Sequence, residues 1–277
     1  MKKILYILTV ALVAISCNDD EVAPVPEESS AVLTRISRNG FAVLEFNYDL
    51  KKRLYRMNSL NATSGELVNY TLFEYDENGL VESRRYSADT HSLSQRTVVT
   101  INAFGRITKA ENYFSPDFFG EVVNYREYEY NVSGQLIAKR LVMDGEPLVW
   151  IEENTYDDKS NLTKLELTFN PTEKDESLGV VEEYVPRDQS IPNLWQDYVP
   201  ILDLSGVDQE IRNMFISNVR QTNWNNTGTT GETRSEFSGH VFDDDGNLTY
   251  QLITRKYILP ENPDLIAEMT YDYENMD

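Results

Sequence analysis

Apolar and polar side chains alternate along most of this chain with a period of two, the spacing of half-buried strands. Leu93–Ile101, Glu121–Tyr130, Gln135–Met143, Val149–Tyr156 and Leu162–Phe169 are rich in Val, Tyr, Leu and Ile and predict strands of about nine residues. Asn39-Gly40, between Ala31–Arg38 and Phe41–Tyr48, predicts a tight hairpin, because both turn positions favour residues that tolerate positive φ. Further strands are expected near Ile216–Thr222 and Glu232–Phe242.

A turn motif recurs between these segments. Tyr48–Leu54, Tyr75–Val81, Ile101–Ile107, Tyr130–Leu136, Tyr156–Leu162 and Phe242–Leu248 share one pattern, and Tyr271–Asp277 is a truncated copy. An apolar or aromatic residue is followed by Asp or Asn, two free positions, usually Gly, one free position, then Leu, Ile or Val. The first five copies start 27, 26, 29 and 26 residues apart. Asp or Asn can accept a bond from backbone two residues on, and Gly supplies the left-handed residue that closes a hairpin loop. The leading residue should then face the final aliphatic across the ladder: Tyr75 with Val81, Tyr130 with Leu136, Tyr156 with Leu162, Phe242 with Leu248. Lys52 and Ser160 stand in the Gly position, so those two turns are expected to be looser or differently shaped.

A period of this length holds two strands and two turns, giving roughly 14 to 16 antiparallel strands, and a sheet that wide curls or closes. The expected fold is therefore all-β: a large curled antiparallel sheet, half-barrel or barrel, built from repeated hairpins. The motif lapses between Tyr156 and Phe242. Pro171, Pro186, Pro192 and Pro200 break the strand patterns there, while Ser205 and Asp208 resemble a capping box. Val207, Ile211, Met214 and Phe215 fall on one helical face. A helical insertion is expected within about 186–215, with a helix near 206–214 after a helical turn around 194–198. Its apolar stripe would plug one barrel end or cover a sheet edge, or else gate a cavity.

The N-terminus has another character. Lys2 and Lys3 precede a twelve-residue apolar run, Ile4 to Ile15, too short to span a bilayer but matching a signal-peptide core. Ala14-Ile15-Ser16-Cys17 resembles the lipobox of bacterial lipoproteins, which implies cleavage before Cys17 and two or three acyl chains on its sulfur. Two or more chains anchor stably where one does not. Residues 1–16 thus read as a signal peptide, 17–30 as the lipidated Cys and a flexible acidic tether, and 31–277 as a single β-repeat domain. Asn18-Asp19-Asp20-Glu21 looks like the surface-export signal of Bacteroidetes lipoproteins. The turn motif, with the lipobox, resembles the YD repeats of Rhs-type shells and, more closely, a Bacteroidetes lipoprotein family of unknown function with a porin-like fold. That resemblance implies an outer-membrane lipoprotein of a Gram-negative bacterium, with the periplasmic and the surface-exposed face both open, and transfers no catalytic residue.

Composition narrows the chemistry. The 277 residues carry 46 Asp and Glu against 25 Lys and Arg, a formal charge of −21 that argues against nucleic acid. Removing Lys2 and Lys3 takes it to −23, so an anionic membrane repels the body and the anchor would hold it there. One Cys leaves no intramolecular disulfide or Cys-cluster zinc site. Arg126, Tyr128 and Tyr130 share one strand face and Glu127 and Glu129 the other, with Lys139 and Arg140 likewise split. Charge on both faces favours a water-soluble anchored barrel over a membrane-spanning one.

Candidate catalytic groups are few. His91 lies in a polar turn, and His240 should oppose Tyr250; neither has metal-ligand spacing. Asp243-Asp244-Asp245-Gly246-Asn247 clusters oxygens as calcium prefers, but its Gly is fourth and not sixth, as in one more hairpin turn. No catalytic residue, metal or cofactor is expected. Trp224, among amides and hydroxyls, is a possible ligand-stacking residue, although packing is the plainer role; Trp150 and Trp195 read as core. The expected function is non-enzymatic: binding or presenting a glycan, peptide or apolar molecule through a curved β surface, with the membrane, through lipid on Cys17, as the other partner. The alternatives are a carboxylate-based glycan hydrolase and a purely structural envelope protein.

Overall fold

Asn39 and Gly40 both take positive φ, 50° and 81°, and the chain reverses on them between β1 (Ala31–Arg38) and β2 (Phe41–Tyr48). The computed structural model describes residues 31–275 apart from 115–122, 144–147, 173–177, 187–200, 202–203, 205–213, 215, 226, 246 and 260–264. Strands follow in order: β3 (Leu54–Leu60), β4 (Leu67–Tyr75), β5 (Leu80–Ser87), β6 (Leu93–Ile101), β7 (Ile107–Phe114) and β8 (Asn124–Tyr130). The second half holds β9 (Leu136–Met143), β10 (Leu148–Tyr156), β11 (Leu162–Phe169), β12 (Leu178–Pro186), β13 (Ile216–Asn225), β14 (Gly228–Phe242), β15 (Leu248–Leu259) and β16 (Leu265–Asn275). Each strand pairs antiparallel with its sequence neighbours, and β1 pairs β16, so the 16 strands form a closed barrel. Closure leaves no unpaired edge.

Six copies of the turn motif lie at one end of this barrel. In the copies headed by Tyr48, Ile101, Tyr130, Tyr156 and Phe242, the next residue's N–H bonds the carbonyl four positions on, as in Asn131 to Gln135 at 3.0 Å. Its side chain clamps the loop: Asp157 Oδ1 accepts from the N–H of Lys159 at 2.9 Å and of Asn161 at 2.8 Å. Leading and closing residues pair as expected in Tyr130–Leu136, Tyr156–Leu162 and Phe242–Leu248. Lys52 and Ser160 adopt φ of 59° and 68°, alongside 74° and 83° at Gly105 and Gly134. Those two turns are thus closed like the glycine copies, not loosened, because the Asp clamp and the flanking ladder hold a side chain where it is disfavoured by about 1 kcal/mol.

Three details differ from expectation. Tyr75 pairs with Leu80, not Val81, since Asp76 N–H bonds Gly79 O and the loop closes one residue early. Residues 271–275 continue β16 as strand, because they pair with β1 and seal the barrel. Tyr250 opposes Val241, not His240, owing to a register irregularity between Ser238 and Val241.

The inner face at the turn end is apolar. Leu33, Ile36, Leu54, Met57, Leu80, Ile107 and Leu248 are buried in one cluster, with Tyr48, Tyr75, Tyr130 and Leu136 packed against it. The segment between β12 and β13 adds Leu204 and Met214 to this cluster, exposed by only 5% and 2%. These two side chains pack into the core; whether the segment plugs, covers an edge or gates rests on residues outside those described. The expected helix near 206–214, Met214 apart, and the helical turn around 194–198 lie outside the described residues, as do residues 1–30.

Candidate functional site: a polar arc inside the barrel

Strand alternation gives β6 to β8 an inner face that turns from apolar to polar away from the Asp/Gly turns. On β6, Val99 is succeeded toward the other end by Thr97 and Gln95; on β7, Ala110 by Asn112; on β8, Tyr128 by Arg126 and Asn124. Register places Thr97 opposite Asn112 and Asn112 opposite Asn124. The side chains form one network. Thr97 Oγ1 donates to Asn112 Oδ1 at 2.8 Å, Gln95 Nε2 donates to the same oxygen at 3.1 Å, and Asn112 Nδ2 donates to Asn124 Oδ1 at 2.7 Å. Thr97 and Asn112 are each 1% exposed, whereas Gln95 and Asn124 at the ends are half-buried.

The arc continues through an interior ion pair. Lys139 on β9 faces Glu152 on β10, Nζ to Oε2 2.9 Å, with both side chains under 10% exposed. Asn154 Nδ2 donates to the other carboxylate oxygen at 3.3 Å, and the ammonium lies 5.5 Å from the Trp150 ring. Asn154 Oδ1 is buried without a hydrogen-bond partner among the described residues. A buried acceptor left unbonded costs about 1–3 kcal/mol, so this atom favours a donor from outside the barrel wall. Farther round, Tyr184 donates its hydroxyl to Glu182. Together these residues present amide, hydroxyl, guanidinium and aromatic groups to a half-buried interior, the donor and acceptor mix that orients polar ligands.

The outer face is ionic. Arg84 bridges Glu74 at 2.7 Å and Glu82, which Arg96 also reaches at 2.7 Å; Arg140 meets Glu129, and Arg220 with Arg234 flanks Glu232. Burial pushes the Glu82 carboxyl up, but the Arg96 hydrogen bond and the Arg84 and Arg96 charges outweigh it and hold it below its ordinary range. A lipid-facing strand face needs apolar side chains, and a charge at mid-bilayer costs about 2–4 kcal/mol. These pairs suit water.

The residues singled out in the sequence lie apart from the arc. Trp224 is half-buried on β13 opposite Gly179 of β12, and its ring occupies the space a Gly179 side chain would take. It shares its strand parity with Arg220 and Thr222, not with the interior. Trp150 borders the arc. His91 sits at φ 51° with its ring 6.1 Å from Tyr70, and His240 lies 6.4 Å from Phe242. Asp243 Oδ1 is occupied by the N–H groups of Asp245 and Asn247. Among the described residues, no group of three or more His, Cys, Asp or Glu is placed to hold a metal ion. Cys17 and Trp195 lie outside the described residues.

Sequence reading missed the Lys139–Glu152 pair and the Asn112 network. The signal was available: Lys139 shares parity with Leu141, Glu152 with Trp150 and Asn112 with Ala110, so each puts a polar group on an inward face.

No protein-family model matches the chain, and no curated protein matches it. Among solved structures, a porin-like protein from Bacteroides uniformis aligns with 90% of this chain and 99% of its own at 13% identity and a TM-score of 0.55. A porin-like protein from Bacteroides vulgatus aligns with 87% of this chain and 98% of its own, at 11% identity and a TM-score of 0.38. At that identity the first likeness speaks for the fold: this chain has a porin-like β-barrel fold related to that of the Bacteroides uniformis protein.

Proposed function

We propose that this chain is a non-enzymatic outer-membrane lipoprotein, held by acyl chains on Cys17, that binds a polar ligand, a glycan or peptide, on the inner polar arc. The observation that carries the ligand is the arc itself. Gln95, Asn124, Arg126 and Trp150 are half-buried on an inner face, beside an Asn154 acceptor with no partner among the described residues. A tier built only for stability would be apolar, like the turn end, because apolar packing needs no satisfied partners. The ionic outer face supports a body that stands in water on a tether, with the anchor doing the holding. The two carboxylates of the arc are already engaged, Glu152 by Lys139 and Glu182 by Tyr184.

Two measurements test the two halves. Labelled palmitate should enter the wild-type chain and not Cys17→Ala, which should move to the soluble fraction; equal labelling of both overturns the anchor. On glycan and peptide arrays, the wild-type chain should bind saturably and Asn124→Ala with Trp150→Ala should lose that binding. An empty array, or binding the double variant keeps, overturns the ligand role.

A further inference from the structure

Four tyrosines at the turn end reach back one strand in the same way. Tyr48, Tyr75, Tyr130 and Tyr156 donate their hydroxyls to the carbonyls of Leu33, Leu54, Ile107 and Leu136, each at 2.9 Å. Except for Leu33, each acceptor closes the preceding hairpin. Phe242 keeps the ring without the hydroxyl. Only the third hairpin has no ring, because Ile101 leads it, and the carbonyl in the matching place is that of Leu80.

A cleft of about 520 Å³ lies at this hairpin. Its walls include Leu80, Val81, Val99 and Ile101, and Asp76 and Asn78 stand beside them. A side chain at Gly79 would bring its Cβ within 3.2 Å of Ile101 Cδ1, so the glycine keeps that side open. The volume falls within the range of small-molecule sites. It opens between the β4–β5 and β6–β7 turns, on other strands than the Lys139–Glu152 pair, and does not depend on the polar arc.

We propose that this cleft binds a phenol in the place that neighbouring hairpins fill with their own tyrosine, the ring against Val99 and Ile101 and the hydroxyl donating to Leu80 O. The charge at the rim selects among phenols. Asp76 Oδ1 accepts from the N–H groups of Asn78 and Gly79, and the first of these bonds, opposed by slight desolvation, holds the carboxyl below its ordinary range. An anionic rim favours a phenol with a cationic tail and disfavours one with a carboxylate. Tyramine is the simplest such probe.

Methyl NMR of the full chain, titrated with tyramine, tests this. Saturable shifts should be confined to Leu80, Val81, Val99 and Ile101. Phenethylamine, which lacks only the hydroxyl, should bind about 3- to 10-fold more weakly, the worth of one hydrogen bond. Ile101→Tyr should fill the cleft with its own ring and abolish the shifts. No saturation by about 10 mM tyramine, shifts centred elsewhere, equal affinity for phenethylamine, or binding retained in a folded Ile101→Tyr chain each overturns the proposal. Where that variant does not fold, the wild-type shift map and the ratio of the two amines decide it.

Discussion

The Tyr130 hydroxyl on β8 donates a 2.9 Å hydrogen bond to the carbonyl of Ile107, the residue that opens β7 and closes the preceding hairpin. The bond explains why the turn motif favours tyrosine over other aromatics: the ring packs on its own hairpin while the hydroxyl ties down the previous one. Tyr130→Phe keeps the ring and deletes the tie, so urea unfolding should show a loss of about 1 kcal/mol. Tyr75→Phe and Tyr156→Phe should cost the same. Phe242, which lacks the hydroxyl, supplies the control, since Phe242→Leu should lose ring packing alone.

The Lys139–Glu152 pair makes a sharper prediction. Both groups are inside the barrel wall, so removing one strands the other charge away from water. Lys139→Met should destabilise by about 3–5 kcal/mol, the cost typical of a broken buried pair. Lys139→Met with Glu152→Leu should recover most of that loss, because neither residual side chain then needs a partner. A double-mutant cycle in urea measures the coupling, and additive losses would mean the pair is solvated.

The barrel was legible because its chemistry is local. Asp and Gly act within one hairpin, and the leading aromatic pairs across the same turn, so Tyr130–Leu136 and the Asn39-Gly40 reversal could be placed from spacing alone; the tyrosine's bond to the preceding hairpin could not. Closure of β1 on β16 was not legible, since it joins Ala31 to Asn275 and no local pattern specifies that pairing. Tyr271 misled for the same reason: its Tyr-Asp pair looks like a turn start, but long-range pairing overrides it. The polar arc was hidden differently. Thr97, Asn112 and Asn124 are unremarkable one by one and become a network only when register brings three strands together. Trp224 drew notice from its polar neighbours in sequence, whereas its contact with Gly179 comes from the β12–β13 register.

Glu82 links the outer ion pairs to pH. Burial alone would raise its pKa, but Arg96 and Arg84 hold it below the ordinary 4.5. A carboxyl depressed in the folded state contributes stability above its unfolded pKa and loses it as pH falls through the folded value, because the unfolded chain there binds the extra proton. Stability measured from neutral pH down through the carboxylate range should therefore fall more steeply for wild type than for Glu82→Gln. The variant should start lower at neutral pH and converge on wild type in acid. Parallel curves would mean that Glu82 titrates as it does in the unfolded chain.

Gly179 tests the role of Trp224. Its φ is not in the left-handed region, so alanine could adopt this backbone; space is the obstacle, since a Cβ would run into the Leu167 carbonyl oxygen and the Trp224 ring. The carbonyl belongs to the neighbouring strand and cannot move freely, so Gly179→Ala should destabilise by about 1–3 kcal/mol, as overpacking does. Trp224→Ala should cost about 2 kcal/mol through the ring area lost from contact with β12. Gly179→Ala combined with Trp224→Ala should lose less than the two separately, because part of the clash leaves with the indole. If Trp224 serves instead as a stacking platform for sugars, Trp224→Ala should leave the unfolding curve nearly unchanged and remove glycan binding. Urea unfolding and a glycan array on the same preparation separate the two.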